Sequence, residues 1–252
     1  MEGPSLFLAR EQLKPFMRRK VLNVSGNTKI EKERFQDEVV KDIFVWGKHL
    51  VFQFDRFALK VHFLLFGTFE AEVNGIAVTG DYKRARVPRL AFTFANGAIR
   101  MYNCSVRIIE DAHLKRSYDF SVDVLSRAWD PAQALKNLKE NGGEEIADVL
   151  LDQDIFAGVG NIIKNEVLSL VHIQPEAKVG ELSVAKRKEI VAQARSFSRQ
   201  FLKWRRVFML RKNLKVHRRA QCPYCGGKLT HQKTGRRARM SHYCLKCQKR
   251  SG

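Results

Sequence analysis

Acidic residues all but disappear from the last third of this chain. Between Lys178 and Gly252 there are 2 Asp or Glu against 22 Lys or Arg, while the first 177 residues hold 24 of each sign. The whole formal charge of +20 therefore lies at one end. A positive surface without counter-charges of its own is the electrostatic footprint of a nucleic-acid binder. Long apolar runs are missing too. None approaches 18 residues, which excludes a membrane-spanning helix. The opening residues lack a basic-then-apolar leader, so an intracellular place, cytoplasm or nucleoid, is expected rather than secretion. Cysteine is scarce, with 5 in 252 residues. Four of them form two C-x-x-C pairs and Cys104 stands alone, a pattern for a reduced metal protein rather than a dispersed disulfide framework. No low-complexity tract or internal repeat occurs, and a monomer is expected.

What is present divides into two halves. Pro4 to Lys20 reads as a helix, with Leu6, Leu13, Phe16 and Met17 on one face and Pro15 as its weak point. From Val21 to about Ile109 the chain alternates or runs apolar: Ile43 to Phe54, Leu59 to Phe66, Thr68 to Val73 and Arg89 to Phe94. Turn signals at Asp55-Arg56, Gly67, Asn74-Gly75 and Asn96-Gly97 separate these runs and predict a β-sandwich of antiparallel strands. The alternation stops between Glu110 and Asp130. Helical patterns follow at Pro131 to Glu140, Glu144 to Gln153, Asn161 to Val171 and Leu182 to about Lys212. The fold class is α+β: a β-sandwich domain with a leading helix over 1–112, a hinge over 113–130, a helical domain over 131–215 and a cysteine module over 216–252.

The cysteine module is the most specific motif. Cys222-Pro-Tyr-Cys225 and Cys244-Leu-Lys-Cys247 offer four thiolates, which describe one closed, tetrahedral structural zinc; a redox pair is the alternative. The 18-residue insert between them reads as a β-hairpin with Gly235 midway, and Lys233, Arg236, Arg237 and Arg239 make it a phosphate contact. A second motif is Asp152-Gln-Asp-Ile-Phe-Ala-Gly-Val-Gly-Asn161. Gly158 and Gly160 allow a tight turn and close approach of a ligand, Asn161 is placed to cap the next helix, and a helix start binds phosphate; a plain turn and cap is the alternative. The third is Met1-Glu2-Gly3-Pro4. A free α-amine titrates near about 8, so its neutral fraction can act as a nucleophile with Glu2 as acid/base partner; most chain termini simply fray.

Taken together, in this order and over nearly the whole length, these motifs resemble the formamidopyrimidine-DNA glycosylase/endonuclease VIII superfamily, its endonuclease VIII branch above all. The resemblance rests on Glu2-Gly3-Pro4, the Gly47-Lys48 turn, Leu151 to Asn161, and the terminal zinc finger with Arg239. It implies a DNA glycosylase with AP-lyase activity in base excision repair, whose N-terminal amine attacks C1′ of the damaged nucleotide and forms a Schiff base. It makes Glu2 the acid/base at the sugar, and Lys48, Asn161 and Arg239 the clamps on phosphate. The lesion is flipped out of the stack, and His62-Phe-Leu-Leu-Phe-Gly67 aligns with the wedge loop, nominating Leu64, Leu65 and Phe66 to fill the gap. Sandwich core is the alternative for those three. Helix-two-turn-helix and zinc-ribbon hairpin complete the implied C-terminal architecture. The expected partner is damaged or abasic DNA and the expected lesion an oxidised pyrimidine.

One departure stands out. The family presents proline at residue one, and Met1 occupies that position here. Three readings stand: a primary amine that still forms an imine with altered or weaker lyase chemistry, a replacement of a natural proline, or a non-catalytic zinc protein that binds damaged or abasic DNA. An RNA-binding zinc ribbon is a further rival, opposed by the wedge and clamp residues.

Overall fold

The computed structural model describes residues 1–78 and 87–251. The chain forms two compact units: Met1 with Ser5–Tyr118, and Glu2–Pro4 with Asp119–Gly252.

In the first unit, α1 (Gly3–Leu13) buries Leu6, Ala9 and Leu13 at helical spacing. Pro15 cannot continue an α-helix, so the chain tightens into a 3-10 turn at Lys14–Phe16 and leaves the helix, short of Lys20. Among the described residues seven strands follow: β1 (Val21–Ser25), β2 (Asp42–Trp46), β3 (His49–Gln53), β4 (Ala58–Val73), β5 (Ile76–Ala77), β6 (Leu90–Phe94) and β7 (Gly97–Ile109). They make one antiparallel sheet ordered β1-β6-β7-β4-β3-β2, with β5 on β4. The apolar runs on either side of Gly67 are one 16-residue strand, β4. Its first part pairs with β3 and the end of β7, its last part with the start of β7, and the register shifts between Phe63 and Thr68. The sheet closes on one core, in which the Phe52 ring of β3 and the Phe92 ring of β6 lie 5.9 Å apart. Cys104 is part of that core, and burial pushes its thiol up to about 11.

The second unit is helical with a terminal hairpin. Asp130 caps α2 (Pro131–Glu140) by accepting from the Ala132 N–H. The helix expected from Glu144 to Gln153 shrinks to α3 (Ile146–Val149). Beyond it Asp152 accepts from the Asp154 N–H and Gln153 from the Gly158 N–H, local bonds that compete with helix. Then come α4 (Asn161–Leu170), α5 (Val184–Arg206) and α6 (Leu210–Asn213). Phe208 adopts the left-handed region at φ 57°, which splits the expected basic helix into α5 and α6. The hairpin is β8 (Thr230–Thr234) and β9 (Arg239–Tyr243), turning at Gly235 as its sequence predicts. No helix among the described residues is long and apolar enough to cross a membrane.

Candidate nucleic-acid interface and metal centre

In the first unit, the Met1 amine lies 3.5 Å from the carbonyl of Phe63. Lys48 follows Gly47, whose φ of 55° makes the tight β2–β3 turn. Trp46, the residue before that turn, stacks on Tyr118 with ring centroids 4.9 Å apart. The His62 ring donates to the backbone carbonyl of Lys48; burial lowers its pKa, and the charges of the Met1 amine and Lys48 lower it further. Met1, Lys48 and the base of the wedge loop are thus neighbours.

The three residues nominated for the wedge are not core. Leu64, Leu65 and Phe66 are 45%, 66% and 71% exposed, although the strand that carries them is otherwise well buried. They occupy the bulge in β4, where Phe66 has φ 63° and Asn103 donates to the Leu65 carbonyl at 2.5 Å. Gly67 permits the bulge, because a β-carbon there would stand 2.5 Å from the Asn103 carbonyl oxygen. Three apolar side chains held in water by a strained, hydrogen-bonded bulge are organised to meet something other than their own core.

In the second unit, the start of α4 carries Glu2. Its carboxylate accepts from the N–H groups of Ile162 at 2.7 Å and Ile163 at 3.3 Å, at the positive end of that helix. Gly160 is the N-cap residue, and a β-carbon on it would lie 2.4 Å from the Glu2 side chain. Gly158, at φ 97°, accepts from the Gly3 N–H at 2.9 Å. The close approach expected at these glycines is therefore made by residues 2 and 3. At the start of α4, expected to bind phosphate, two N–H groups are taken by Glu2, and the N-cap is Gly160 rather than Asn161. Its amide instead donates to the Met240 carbonyl at 2.8 Å, beside the exposed Arg239 on β9. Asn161 and Arg239 are thereby brought together.

Three buried charged residues that the sequence reading passed over fasten the C-terminal segment, two of them on the hairpin and Glu166 on the chain that leads to it. Asp148 accepts from the Arg236 and Arg237 N–H groups at 2.6 and 3.3 Å. Lys164, with no exposed surface, donates to Ser241 at 2.7 Å. Its pKa is lowered to about 8, by burial first and then by Arg239. Glu166 accepts from the N–H groups of Lys215, Val216 and His217. Spacing along the sequence did not mark them, because the partners of Asp148 and Lys164 lie 88 and 77 residues away.

The sulfurs of Cys222, Cys225, Cys244 and Cys247 lie within 4.8 Å of one another. The Cys222–Cys247 and Cys225–Cys244 pairs are 3.8 and 3.7 Å apart. Four thiolates at about 2.3 Å from a tetrahedral zinc stand about 3.8 Å apart, so this cluster fits that ion.

Comparisons with known proteins agree with this geometry. The formamidopyrimidine-DNA glycosylase H2TH domain family matches residues 120–204. Endonuclease 8 2 of Mycobacterium bovis is 30% identical over 84% of this chain and 84% of its own length. Endonuclease 8-like 3 of Mus musculus is 31% identical over 85% of this chain, which spans 35% of that relative. Among solved structures, a viral DNA glycosylase superposes with TM-score 0.83 at 18% identity, covering 99% of this chain and 100% of that one. A Lactococcus lactis formamidopyrimidine-DNA glycosylase, crystallised non-covalently bound to DNA containing an AP site, has TM-score 0.83 at 20% identity, with 99% and 100% covered. The fold and these relatives define a class of proteins built from an antiparallel sheet unit and an H2TH unit with a terminal cysteine cluster. The chain belongs to the formamidopyrimidine-DNA glycosylase/endonuclease VIII superfamily, with relatives named endonuclease 8 and endonuclease 8-like.

Proposed function

We propose that this protein is a base-excision-repair DNA glycosylase that removes oxidised bases, pyrimidines foremost, from intracellular DNA and acts as a monomer. The observation that carries the reading is the seating of Glu2. Directly after the residue-1 amine, a carboxylate is held by two backbone N–H groups against a glycine that leaves room for nothing larger.

On this reading the α-nitrogen of Met1 attacks C1′ of the flipped nucleotide. The N–C1′ bond forms as the glycosidic bond breaks, and Glu2 moves the proton that opens the sugar to the Schiff base. Elimination then cuts the strand. A secondary amine gives an obligatorily charged imine, whereas the primary amine of Met1 gives one that can lose its proton. Elimination is then slower and the chain is mainly a base remover. Lys48, Asn161 and Arg239 hold the phosphates beside the lesion, and Leu64, Leu65 and Phe66 fill the gap in the stack. Gly158 and Gly160 serve DNA indirectly, by shaping the seat of residues 2 and 3. One structural zinc per chain supports the hairpin that carries Arg239.

Borohydride reduction on an abasic-site oligonucleotide tests the mechanism. A crosslink mapped to the Met1 nitrogen is expected. A crosslink on an internal lysine would displace Met1 from the role. Tight abasic-site binding with no crosslink and no base release would make the protein a non-catalytic reader of damaged DNA.

A further inference from the structure

Lys164 is a buried cation without an ion pair. It has no exposed surface, and among the described residues its ammonium bonds only to the hydroxyl of Ser241, 2.7 Å away. Burying an ammonium group is costly unless a carboxylate and further hydrogen bonds accompany it. A long apolar side chain would fill the same space without that cost. Ser241 would keep a partner even then, because its hydroxyl also meets that of Thr234 at 2.6 Å. A neutral donor would fasten Ser241 equally well, so the charge itself calls for a different account.

The surroundings on α4 and β9 supply one. Asn161 and Lys164 stand three residues apart on one side of α4 and hold consecutive residues of β9, Met240 and Ser241. Side chains alternate along a strand, so Ser241 and Arg239 share one side of β9, the side of Thr234, which is paired with Arg239. A buried ammonium and an exposed guanidinium therefore stand on the same side of the hairpin. After burial, Arg239 is the largest influence that lowers the Lys164 pKa. Nearby cations of the turn are matched by acids: Arg236 meets Glu144 at 2.8 Å and Arg237 meets Asp152 at 3.4 Å. Arg239 has no carboxylate partner among the described residues, and residues 190–252 contain no Asp or Glu. Repulsion from a fixed ammonium turns such a guanidinium outward, away from the backbone carbonyls and acids on which it could fold back.

We infer that Lys164 is a positioning residue for Arg239: its buried charge, fixed by Ser241, keeps the guanidinium directed at an external anion and prevents it from pairing within the chain. That the anion is a DNA phosphate rests on the glycosylase reading above. The charged or titratable groups facing Lys164 are Asp148 of α3, Glu2 at the start of α4, Glu176 beyond its end, Arg239 and His242 of β9, and His217. Both histidines are lowered to about 4 and stay neutral between about pH 7 and 9, a window in which carboxylates and guanidinium groups do not ordinarily change charge. Lys164, lowered to about 8, loses its charge there.

Binding to a duplex carrying an abasic-site analogue, measured across salt and pH series, tests this in the zinc-loaded full chain. The variants are Lys164→Met, Lys164→Gln, Arg239→Ala, and each Lys164 change combined with Arg239→Ala. Lys164→Met should melt at or above the parent temperature, because an unpaired buried charge is gone. It should nevertheless bind about tenfold more weakly, the scale of coupling between neighbouring residues, with a log–log salt slope smaller by about one. Lys164→Gln, which keeps a donor for Ser241, should lose as much. In the Arg239→Ala background either Lys164 change should alter affinity by less than about twofold. Parent affinity should fall as pH rises through about 8, and the fall should be shallower in Lys164→Met. The Met1 amine titrates near about 8 in both chains, so the difference between them belongs to Lys164. Parental affinity in Lys164→Gln overturns the proposal, and so does an equal loss with and without Arg239. Should Lys164→Met lower the melting temperature, the Gln variant carries the same comparison. Borohydride crosslinking of the parent chain separates the two proposals. Normal crosslinking with parental affinity in both Lys164 variants removes the positioning role alone, and absent crosslinking with the dependence on Arg239 intact removes the enzyme reading alone.

Discussion

Glu2 and Gly160 are so close that a methyl group added to the glycine would overlap the carboxyl group, with a β-carbon 2.4 Å from it. Gly160 has an ordinary negative φ of −119°, so the demand for glycine here is one of space rather than backbone conformation. Gly160→Ala should push the carboxylate off the α4 N–H groups. Base release should fall about 100-fold or more, the usual scale of a positioned acid/base group. Zinc content and circular dichroism should not change. Gly143→Ala, where an added β-carbon meets nothing within 4 Å, is the matched control. Full activity in the Gly160 variant would remove Glu2 from the chemistry.

Glu2→Gln keeps an oxygen for the Ile162 N–H but loses the charge and the proton-transfer capacity. Crosslinking under borohydride should drop by about two to four orders of magnitude. Affinity for an abasic-site duplex should stay within a few-fold. A parallel loss of binding would instead make Glu2 a structural cap.

The wedge offers a separation of stability from function. Replacing Leu64, Leu65 and Phe66 with Ala removes no core packing, since all three are exposed. Each change should shift stability by no more than about 0.5 kcal/mol. Phe66→Gly should be neutral or stabilising, because the left-handed backbone at that position suits glycine. Base release from duplex DNA should nevertheless fall in the triple variant, while release from a single strand, where no gap needs filling, should hold. Equal loss on both substrates would count against a wedge.

Stability should depend on pH through half-buried histidines. Burial lowers His49 and His217 to about 4, well below the ordinary histidine value of 6.5. Both are neutral in either state above 6.5, so their stabilising contribution is complete there. As pH falls from 6.5 towards 4 the unfolded chain takes up protons first, and folding loses that contribution. The melting temperature should therefore decline across this window. His49→Phe, which keeps a ring next to Trp46, should flatten the decline; an identical slope would show that His49 titrates normally.

Thiol labelling should separate the five cysteines into two classes. Burial that raises the Cys104 thiol to about 11 keeps it inert at neutral pH. Chelation should release one zinc per chain and expose four reactive thiols, with Cys104 joining them only on unfolding. Five thiols reactive on chelation alone would mean that the sheet unit opens with the hairpin.

Much of the architecture could be read before any coordinates. α2 runs from Pro131 to Glu140 as its pattern predicts, and Gly235 turns the hairpin where its composition places it. What escaped were features set by contacts distant in sequence. Asp148 and Lys164 look like solvated charges on short helices, yet their partners lie 88 and 77 residues away. The shortened helix at Ile146–Val149 has a similar origin, because side chains of Asp152 and Gln153 bond to loop backbone that periodicity does not see. Of the candidate site, the identities of Glu2, Gly160 and Asn161 were legible but their partners were not. The helix start assigned to phosphate belongs to Glu2, and the cap assigned to Asn161 is a strut to Met240.

The hairpin is fastened at both ends: the cysteine cluster grips its base, and Asp148 receives its tip. Arg239 sits between two independent anchorages, one of metal and one of carboxylate. Losing the ion should loosen the near end while the far end still registers Arg239 against α3 and α4. Affinity for DNA should then decay in two stages during demetallation, and Asp148→Asn should merge them into one.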